Sequence, residues 1–463
     1  MITAPKSRGC EPADSSFHPN MTKPIAQNQA NAPKSRGCEL ADCYFQPDMK
    51  DYAKAETRRA MTLIVQKFGG TSVKSVARIR NVAGIIARAA RTRQVVAVAS
   101  AMGDTTDYLV KLASQASASP DRRELDALLA TGEQISIALL SMVLRDMAVP
   151  AVSISGPQLG IITENVHTAA RIVDIKTEAI RNHLDSGRVV VAAGFQGTTA
   201  AGDITTLGRG GSDTTAVALA AALGAEACDI YTDVSGIYTA DPNIVPTAKL
   251  LAEISYDEML EMARVGAQVL HPRAVALARR HGLPVRVRNT FDPEHMGTTL
   301  RGADQMEIYR PVSGISVDRD QARLAILQVP DRPGIAGEII GALAGRHISV
   351  DMIIQAFHEG GSVNDITFTV KRNDLAAARN LLEQIAGTVG AAGVLADPDV
   401  AKVSIVGAGL MDQPDIAATM FRELGKARIN IKMISTSDIR ISCVVSDGDS
   451  EQAVRLVHDV FHL

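Results

Sequence analysis

The sequence predicts an α/β protein with a mainly parallel sheet, followed by two small α+β modules. Three observations carry this. Buried-type strands alternate with helical stretches over the first two thirds of the chain. Those strands end in Gly, Ser, Thr or Asp, where parallel sheets bind ligands. The remaining third contains an ungapped internal duplication. The length of 463 residues suits about three domains.

Composition narrows the function classes. Apolar residues make up 46% and charged residues 21%, an ordinary globular balance. Lys and Arg number 48 against 51 Asp and Glu, so no basic excess points to nucleic acid or an anionic membrane. The longest apolar runs, such as Val95–Ala99 and Val189–Ala193, fall far short of the roughly 20 residues of a spanning helix. Five irregularly spaced cysteines (Cys10, Cys38, Cys43, Cys228, Cys443) form neither a disulfide scaffold nor a zinc pattern. A reducing, cytoplasmic setting is the expectation, with no metal held by a dedicated protein site.

Residues 4–21 (APKSRGCEPADSSFHPNM) recur at residues 32–49 with most positions identical. The unit is polar, contains prolines and lacks a sustained period, so it has no face to stack. Residues 1–60 therefore read as a disordered leader or a mis-assigned start, with Met61 as the natural start. A metal or redox tail is the alternative for its three cysteines.

The first strand, Leu63–Gln66, leads through Lys67 and Phe68 to Gly69-Gly70-Thr71-Ser72, and a helix follows on Val76, Ile79, Val82 and Ile86. A strand, two glycines and a helix start make an anion site: glycine admits phosphate to the backbone N–H groups, and Lys67 adds a full charge. Val95–Ala99 ends in Ser100-Ala101-Met102-Gly103, Val189–Ala193 ends in Gly194, and Asp229–Asp233 is a further strand. Helical stretches are expected at 130–147, 174–184 and 213–223.

Thr206–Asp213 (TLGRGGSD) is the most informative stretch. Arg209 suits two-pronged binding of a carboxylate or phosphate. Ser212 suits phosphate oxygens, and Asp213 suits a metal or Lys67. Ser212 or Asp213 would equally serve as a helix N-cap, and Glu133 as a solvated first-turn glutamate. There is no GxxxxGK[ST] and no protein-kinase signature set.

Lys67–Ser72 (KFGGTS), Ser100–Thr106 (SAMGDTT), Gly132-Glu133, Gly194–Gly197 (GFQG), Thr206–Asp213, Tyr231–Asp233, Ile237–Pro242 (IYTADP) and Leu270–Pro272 (LHP) together resemble aspartokinase, over about residues 61–463. The resemblance implies an amino-acid-kinase fold, three-layer αβα, and phosphorylation of the side-chain carboxylate of L-aspartate by MgATP. Lys67, Phe68, Gly69 and Gly70 would hold ATP, with Ser100, Ser212 and Asp213 at the transferring phosphate. Thr232, Asp233 and Tyr238 would line the nucleotide pocket. Thr106, Glu133 and Arg209 would hold aspartate, with Lys67, Arg209 and Asp213 as the catalytic set. Two residues depart from the family's habit: Asn243 stands where arginine often follows Asp-Pro, and Gln268 where lysine often precedes the LHP motif. A kinase acting on glutamate or a nucleotide, and an amino-acid sensor with an inactive kinase half, are the alternatives.

In the last third, Pro333–Ala336 matches Pro414–Ala417 at an offset of 81. The helical stripe Ala336, Ile339, Ile340, Leu343 maps on Ala417, Met420, Phe421, Leu424. Each copy reads strand, helix, strand, strand, helix. The second copy ends in helix, so Val312–Val317 is expected to supply its final strand. The expected domains are 61–305 and 306–463, with the first copy (about 320–396) inserted in the second (about 312–318 plus 399–463). The duplication resembles paired ACT domains (βαββαβ), which bind amino acids. The resemblance implies effector residues Asp331, Gly334, Ile335, Ala336, Ser349, Asp351 and Gln355, with Asn430, Ile431, Ser437 and Asp438 from the other copy. Asp415 replaces the family's glycine and would repel an effector's carboxylate, so one working site type is expected. The implied partners are lysine, threonine or both as feedback inhibitors, and further copies of the chain joined through the ACT domains, possibly with a shorter sensor-only chain.

Overall fold

The computed structural model describes residues 61–267, 269–306, 310–356, 362–410 and 413–463. Residues 1–60, with the duplicated segment and three of the cysteines, and Gln268 lie outside the described residues.

The N-terminal half runs β1 (Leu63–Phe68), α1 (Val76–Ala89), β2 (Gln94–Ala99), α2 (Thr105–Ala116), α3 (Arg122–Asp146), β3 (Ala151–Ile154), α4 (Gly156–Leu159), β4 (Ile161–Thr163), β5 (Ile172–Ile175), α5 (Glu178–Asp185), β6 (Val189–Ala193), β7 (Gln196–Thr198), β8 (Ile204–Thr206) and α6 (Gly211–Leu223). It continues with β9 (Ala227–Thr232), β10 (Glu253–Ser255), α7 (Tyr256–Arg264), α8 (Pro272–His281), β11 (Val285–Asn289) and β12 (Thr298–Arg301).

Eight strands form one sheet in the order β10-β12-β11-β9-β1-β2-β6-β3, parallel except for the β11–β12 pair. Both faces are covered, which is why these strands read as apolar runs. β1 sends Leu63 and Val65 into one buried layer and Ile64 and Phe68 into the other. α6 packs on the first layer through Ala216, Val217 and Leu219, and α1 and α3 on the second through Ile79, Val82, Leu140 and Leu144. Each such Val, Leu or Ile contributes about 1.5–3 kcal/mol on burial. Phe68 stacks on Tyr231 of β9 with centroids 4.9 Å apart. A separate four-stranded sheet, β5-β4-β7-β8, is formed by strands that interleave in sequence with those of the main sheet.

Several elements differ from expectation. α3 begins at Arg122 rather than near 130, because Asp121 caps it by accepting from the N–H groups of Arg123 and Glu124. Its length and composition would let it cross a membrane, which no run of the sequence suggested, but half of its most apolar window is buried in the fold. Residues 172–175 are strand, paired antiparallel with β4, and the helix starts only at Glu178.

The C-terminal half comprises β13 (Gly314–Pro330), α9 (Ile335–Gly345), β14 (Val350–Ala356), β15 (Val363–Val370), α10 (Leu375–Val389), β16 (Gly393–Val406), α11 (Pro414–Lys426), β17 (Met433–Ser437), β18 (Arg440–Ser446) and α12 (Ser450–Val460). One antiparallel sheet has the order β14-β15-β13-β16-β18-β17. β13 is a single strand of 17 residues. Its first part, Gly314–Asp318, pairs with Lys402–Val406 beside β18. Its later part, from Ala322, pairs with β15 and with Gly393–Asp397. Register shifts between Asp318 and Arg323 separate the two parts. Met352 and Met433, equivalent under the offset of 81, share a buried cluster with Val400 and Val444.

The halves interlock. Ala240 and Val245 of the first belong to the buried cluster of the second copy. The Ile315 N–H donates to the Thr239 carbonyl at 2.7 Å, and the Thr239 hydroxyl meets His458 Nε2 of α12 at 3.1 Å. Glu258 accepts from the Ser313 hydroxyl (2.6 Å) and the Ala408 N–H (3.2 Å).

Candidate active site

The carboxyl ends of β9, β1, β2 and β6 lie side by side and are tied by backbone hydrogen bonds. Gly69 N–H donates to the Tyr231 carbonyl (3.3 Å), Gly103 N–H to the Gly70 carbonyl (3.0 Å), and Gly194 N–H to the Ala99 carbonyl (3.0 Å). Two glycines here are required by space. A Cβ on Gly70 would stand 3.0 Å from the Ala101 carbonyl, and one on Gly194 would stand 2.7 Å from Ser212 Oγ. Lys67, the penultimate residue of β1, reaches Asp213 of α6 at 2.6 Å, with both side chains largely buried. Ser100 and Ser212 stand at the same strand ends. Phe68 offers only its backbone, because its side chain is fully buried.

The N-cap of α6 is Gly210, at φ +66°, so Ser212 and Asp213 lie inside the first turn. The capping alternative for those two residues is thereby set aside. Gly210 is also the place where His271 packs: a Cβ there would fall 2.1 Å from the imidazole Cγ. Burial lowers the His271 pKa, against the pull of the nearby Asp213 carboxylate. Arg273 donates to the Leu207 carbonyl (2.6 Å) and the Ala170 carbonyl (3.1 Å). The His-Pro-Arg stretch thus buttresses the Gly-Arg-Gly-Gly loop. The sequence marked His271 only as part of a motif and did not signal Arg273.

Arg209 is exposed and has no protein partner among the described residues. Glu133 lies inside α3, 2% exposed, not in a solvated first turn. One carboxylate oxygen accepts from the Ala101 N–H at 3.1 Å, and the other has no partner among the described residues. Burial pushes its pKa up to about 8, opposed by hydrogen bonds from backbone groups. Thr106 is half-buried in the first turn of α2, next to Thr105, which packs beside Gly132. One Glu133 oxygen and the Arg209 guanidinium are thus without protein partners among the described residues.

Thr232, Asp233, Tyr238 and Asn243 line a cleft of about 990 Å³, walled on its far side by Ile315–Asp320 of β13 and by α12. Asn243 turns its backbone and side-chain amides onto Asp241, both at 2.9 Å.

The predicted effector residues fall into separate groups within one chain. Gly334 N-caps α9 at φ +92°, with Asp331, Ile335 and Ala336 around it, and Gln355 is the penultimate residue of β14 at the same end of the sheet. Ser349 and Asp351 lie at the opposite end of β14, beside Met352, which shares a buried cluster with Met433; Ile431 packs against the core of the second copy instead. Ser437 and Asp438 sit at the β17–β18 turn. Asp351 is already paired with Lys402 of β16. Burial alone would raise its carboxyl, but the hydrogen bond and charge of Lys402 hold it below the usual range.

Residues 62–289 match the family model described as the amino acid kinase family, and residues 323–387 and 403–461 each match an ACT domain model. An aspartokinase of Pseudomonas aeruginosa is 49% identical over 407 residues, covering 87% of this chain and 98% of the relative. An aspartokinase of Thermus thermophilus is 48% identical over 406 residues, covering 87% and 99%. The crystal structure of E. coli aspartokinase III in complex with aspartate and ADP (R-state) superposes with a TM-score of 0.73 at 28% identity, covering 87% of this chain and all of that one. Its complex with lysine and aspartate (T-state) gives 0.68 at 27%, again over 87% and 100%.

A parallel sheet whose strand ends gather a lysine, paired glycines and an arginine-bearing loop, joined to two amino-acid-binding modules, defines an amino-acid kinase under allosteric control. The chain belongs to the aspartokinase family.

Proposed function

We propose that the chain transfers the γ-phosphoryl group of ATP to the side-chain carboxylate of L-aspartate, giving 4-phospho-L-aspartate at the head of lysine, threonine, methionine and diaminopimelate synthesis, with feedback inhibition through its ACT domains. The observation that carries the reading is the buried Lys67–Asp213 pair, together with an unpaired Glu133 oxygen and an exposed Arg209.

In this reading Arg209 grips the α-carboxylate of aspartate, Glu133 meets its ammonium, and Thr106 bounds the site. Lys67 and the Gly69 and Gly70 N–H groups hold the transferring phosphate, with Ser100, Ser212 and Asp213 around it. Thr232, Asp233 and Tyr238 hold the rest of the nucleotide. No general base is needed, since a carboxylate is already ionised at pH 7. Catalysis then rests on alignment and on neutralising charge in an in-line transfer. Mg²⁺ would be carried in on the nucleotide's phosphates, near Asp213, and would neutralise phosphate charge there.

The catalytic domain spans 61–305 and the paired ACT domains 306–463. Lysine, threonine or both act at the ACT domains. β14 and β17 are the outer strands of the C-terminal sheet. Pairing between copies of the chain, or with a shorter sensor-only chain, would cover such edges. The cytoplasm is the expected compartment, consistent with free thiols at Cys228 and Cys443. The test is a hydroxamate assay with aspartate, ATP and Mg²⁺. Product with aspartate but not glutamate, lost in Lys67→Ala, supports the reading; full activity in Lys67→Ala overturns it.

A further inference from the structure

Asp126 lies two turns before Glu133 on α3 and is fully buried. The mechanism above makes no use of it. A buried carboxylate without partners costs several kcal/mol, so its surroundings are informative. Both oxygens are satisfied by groups from two other segments. Thr206 Oγ1, at the end of β8, donates to one at 2.5 Å. The Thr168 N–H lies 3.1 and 3.0 Å from the two oxygens, and His167 Nδ1 is 2.9 Å from the second.

These partners lead to Arg209. Thr206 stands three residues before it in the chain. Thr168 has φ +71°, a conformation that a β-branched residue adopts only when held there. Its carbonyl faces Gly208, where a Cβ would come within 3.2 Å, and the Ala170 N–H donates to the Thr206 carbonyl at 2.9 Å. One buried carboxylate therefore joins the helix bearing Glu133 to the loop bearing Arg209, through the turn on which that loop rests.

Resting on the reading that Glu133 and Arg209 hold the two ends of aspartate, we infer that Asp126 is a positioning residue for the amino-acid substrate. It sets the spacing between the cation-binding and anion-binding groups without touching the substrate. Its loss lets the Arg209 loop drift relative to α3, and a misplacement of about 1 Å costs up to about a hundredfold. The phosphate cradle is tied separately, through the strand ends and the Lys67–Asp213 pair.

The test measures KM for aspartate and for ATP separately. KM does not depend on the fraction of enzyme that folds, so partial misfolding leaves the readout intact. Thr206→Val removes one donor to Asp126 at constant shape and is expected to raise KM for aspartate about tenfold, with KM for ATP within about twofold. Asp126→Asn is expected to exceed that, and Thr206→Ser, which restores the hydroxyl, to return KM for aspartate to the wild-type value. Arg209→Ala serves as the reference. If Arg209→Ala leaves KM for aspartate unchanged, the underlying site assignment fails. If Arg209→Ala raises it while Thr206→Val and Asp126→Asn leave it unchanged, or raise both KM values in parallel, the positioning role is overturned.

Discussion

If Glu133 meets the ammonium of aspartate, as proposed, substrate binding is a proton-linked event. Burial lifts its pKa to about 8, so at pH 7 about nine-tenths of the empty sites carry a neutral carboxyl. An ammonium needs the ionised form. Binding at pH 7 must therefore expel about 0.9 proton at a cost of about 1.4 kcal/mol, a tenfold weakening relative to high pH. KM for aspartate is expected to fall about tenfold per pH unit from pH 6 and to level off above about pH 8. Steady-state ADP release at saturating ATP reads the slope, and calorimetry in two buffers of different ionisation enthalpy counts the proton. Glu133→Gln should abolish both signals and weaken aspartate by about 2–5 kcal/mol, the usual effect of removing one member of a buried charge pair. A wild-type KM that is flat between pH 6 and 8, with no proton released, would refute the role given to Glu133.

Without substrate the same carboxyl acts on stability. Its folded pKa lies above the reference value of 4.5, so the folded state binds the proton more tightly; the stability this one group contributes is fully present below about pH 4.5 and is lost, up to about 5 kcal/mol, as pH rises through about 8. Denaturant melts of wild type and Glu133→Gln at pH 6 and 8 check this, the variant showing the smaller drop. Gly210→Ala forces a Cβ into the His271 ring at a left-handed position, and should cost about 2 kcal/mol or more in thermal melts while raising KM for aspartate. Lys67→Ala leaves Asp213 without its counter-ion and should lower kcat about a hundredfold or more in single-turnover assays. Removing residues 314–463 should end feedback inhibition and also raise KM for ATP, because the segment holding Tyr238 is bonded to Ile315 and His458; unchanged inhibition in the truncated enzyme would contradict the sensing role.

Much of this architecture is legible in residue order, because it rests on local rules. Val95–Ala99 and Val189–Ala193 announce a doubly covered parallel sheet, and the glycines after them announce where ligands approach. The duplication is read from Ile339 and Met420, both fully buried. What stays hidden depends on contacts distant in sequence. Nothing local separates Asp126 from any helix-surface aspartate; its partners lie 41, 42 and 80 residues away. Gln196 is similar, since its side chain joins the Gly156 N–H to the Ala130 carbonyl. The continuity of β13 was also hidden, because Asp318-Arg319-Asp320 reads as a polar break, yet it forms the bulge at which the strand bends without ending.

That unbroken strand limits how the regulatory half can be rebuilt. It leaves the Thr239 segment, completes the second module and then opens the first. A chimera that exchanges only the first module must cut β13 at its bend and β16 midway, leaving four frayed ends inside one sheet. The two modules are therefore heritable as one cassette, and new effector responses are better sought by changing side chains at the turns than by swapping modules.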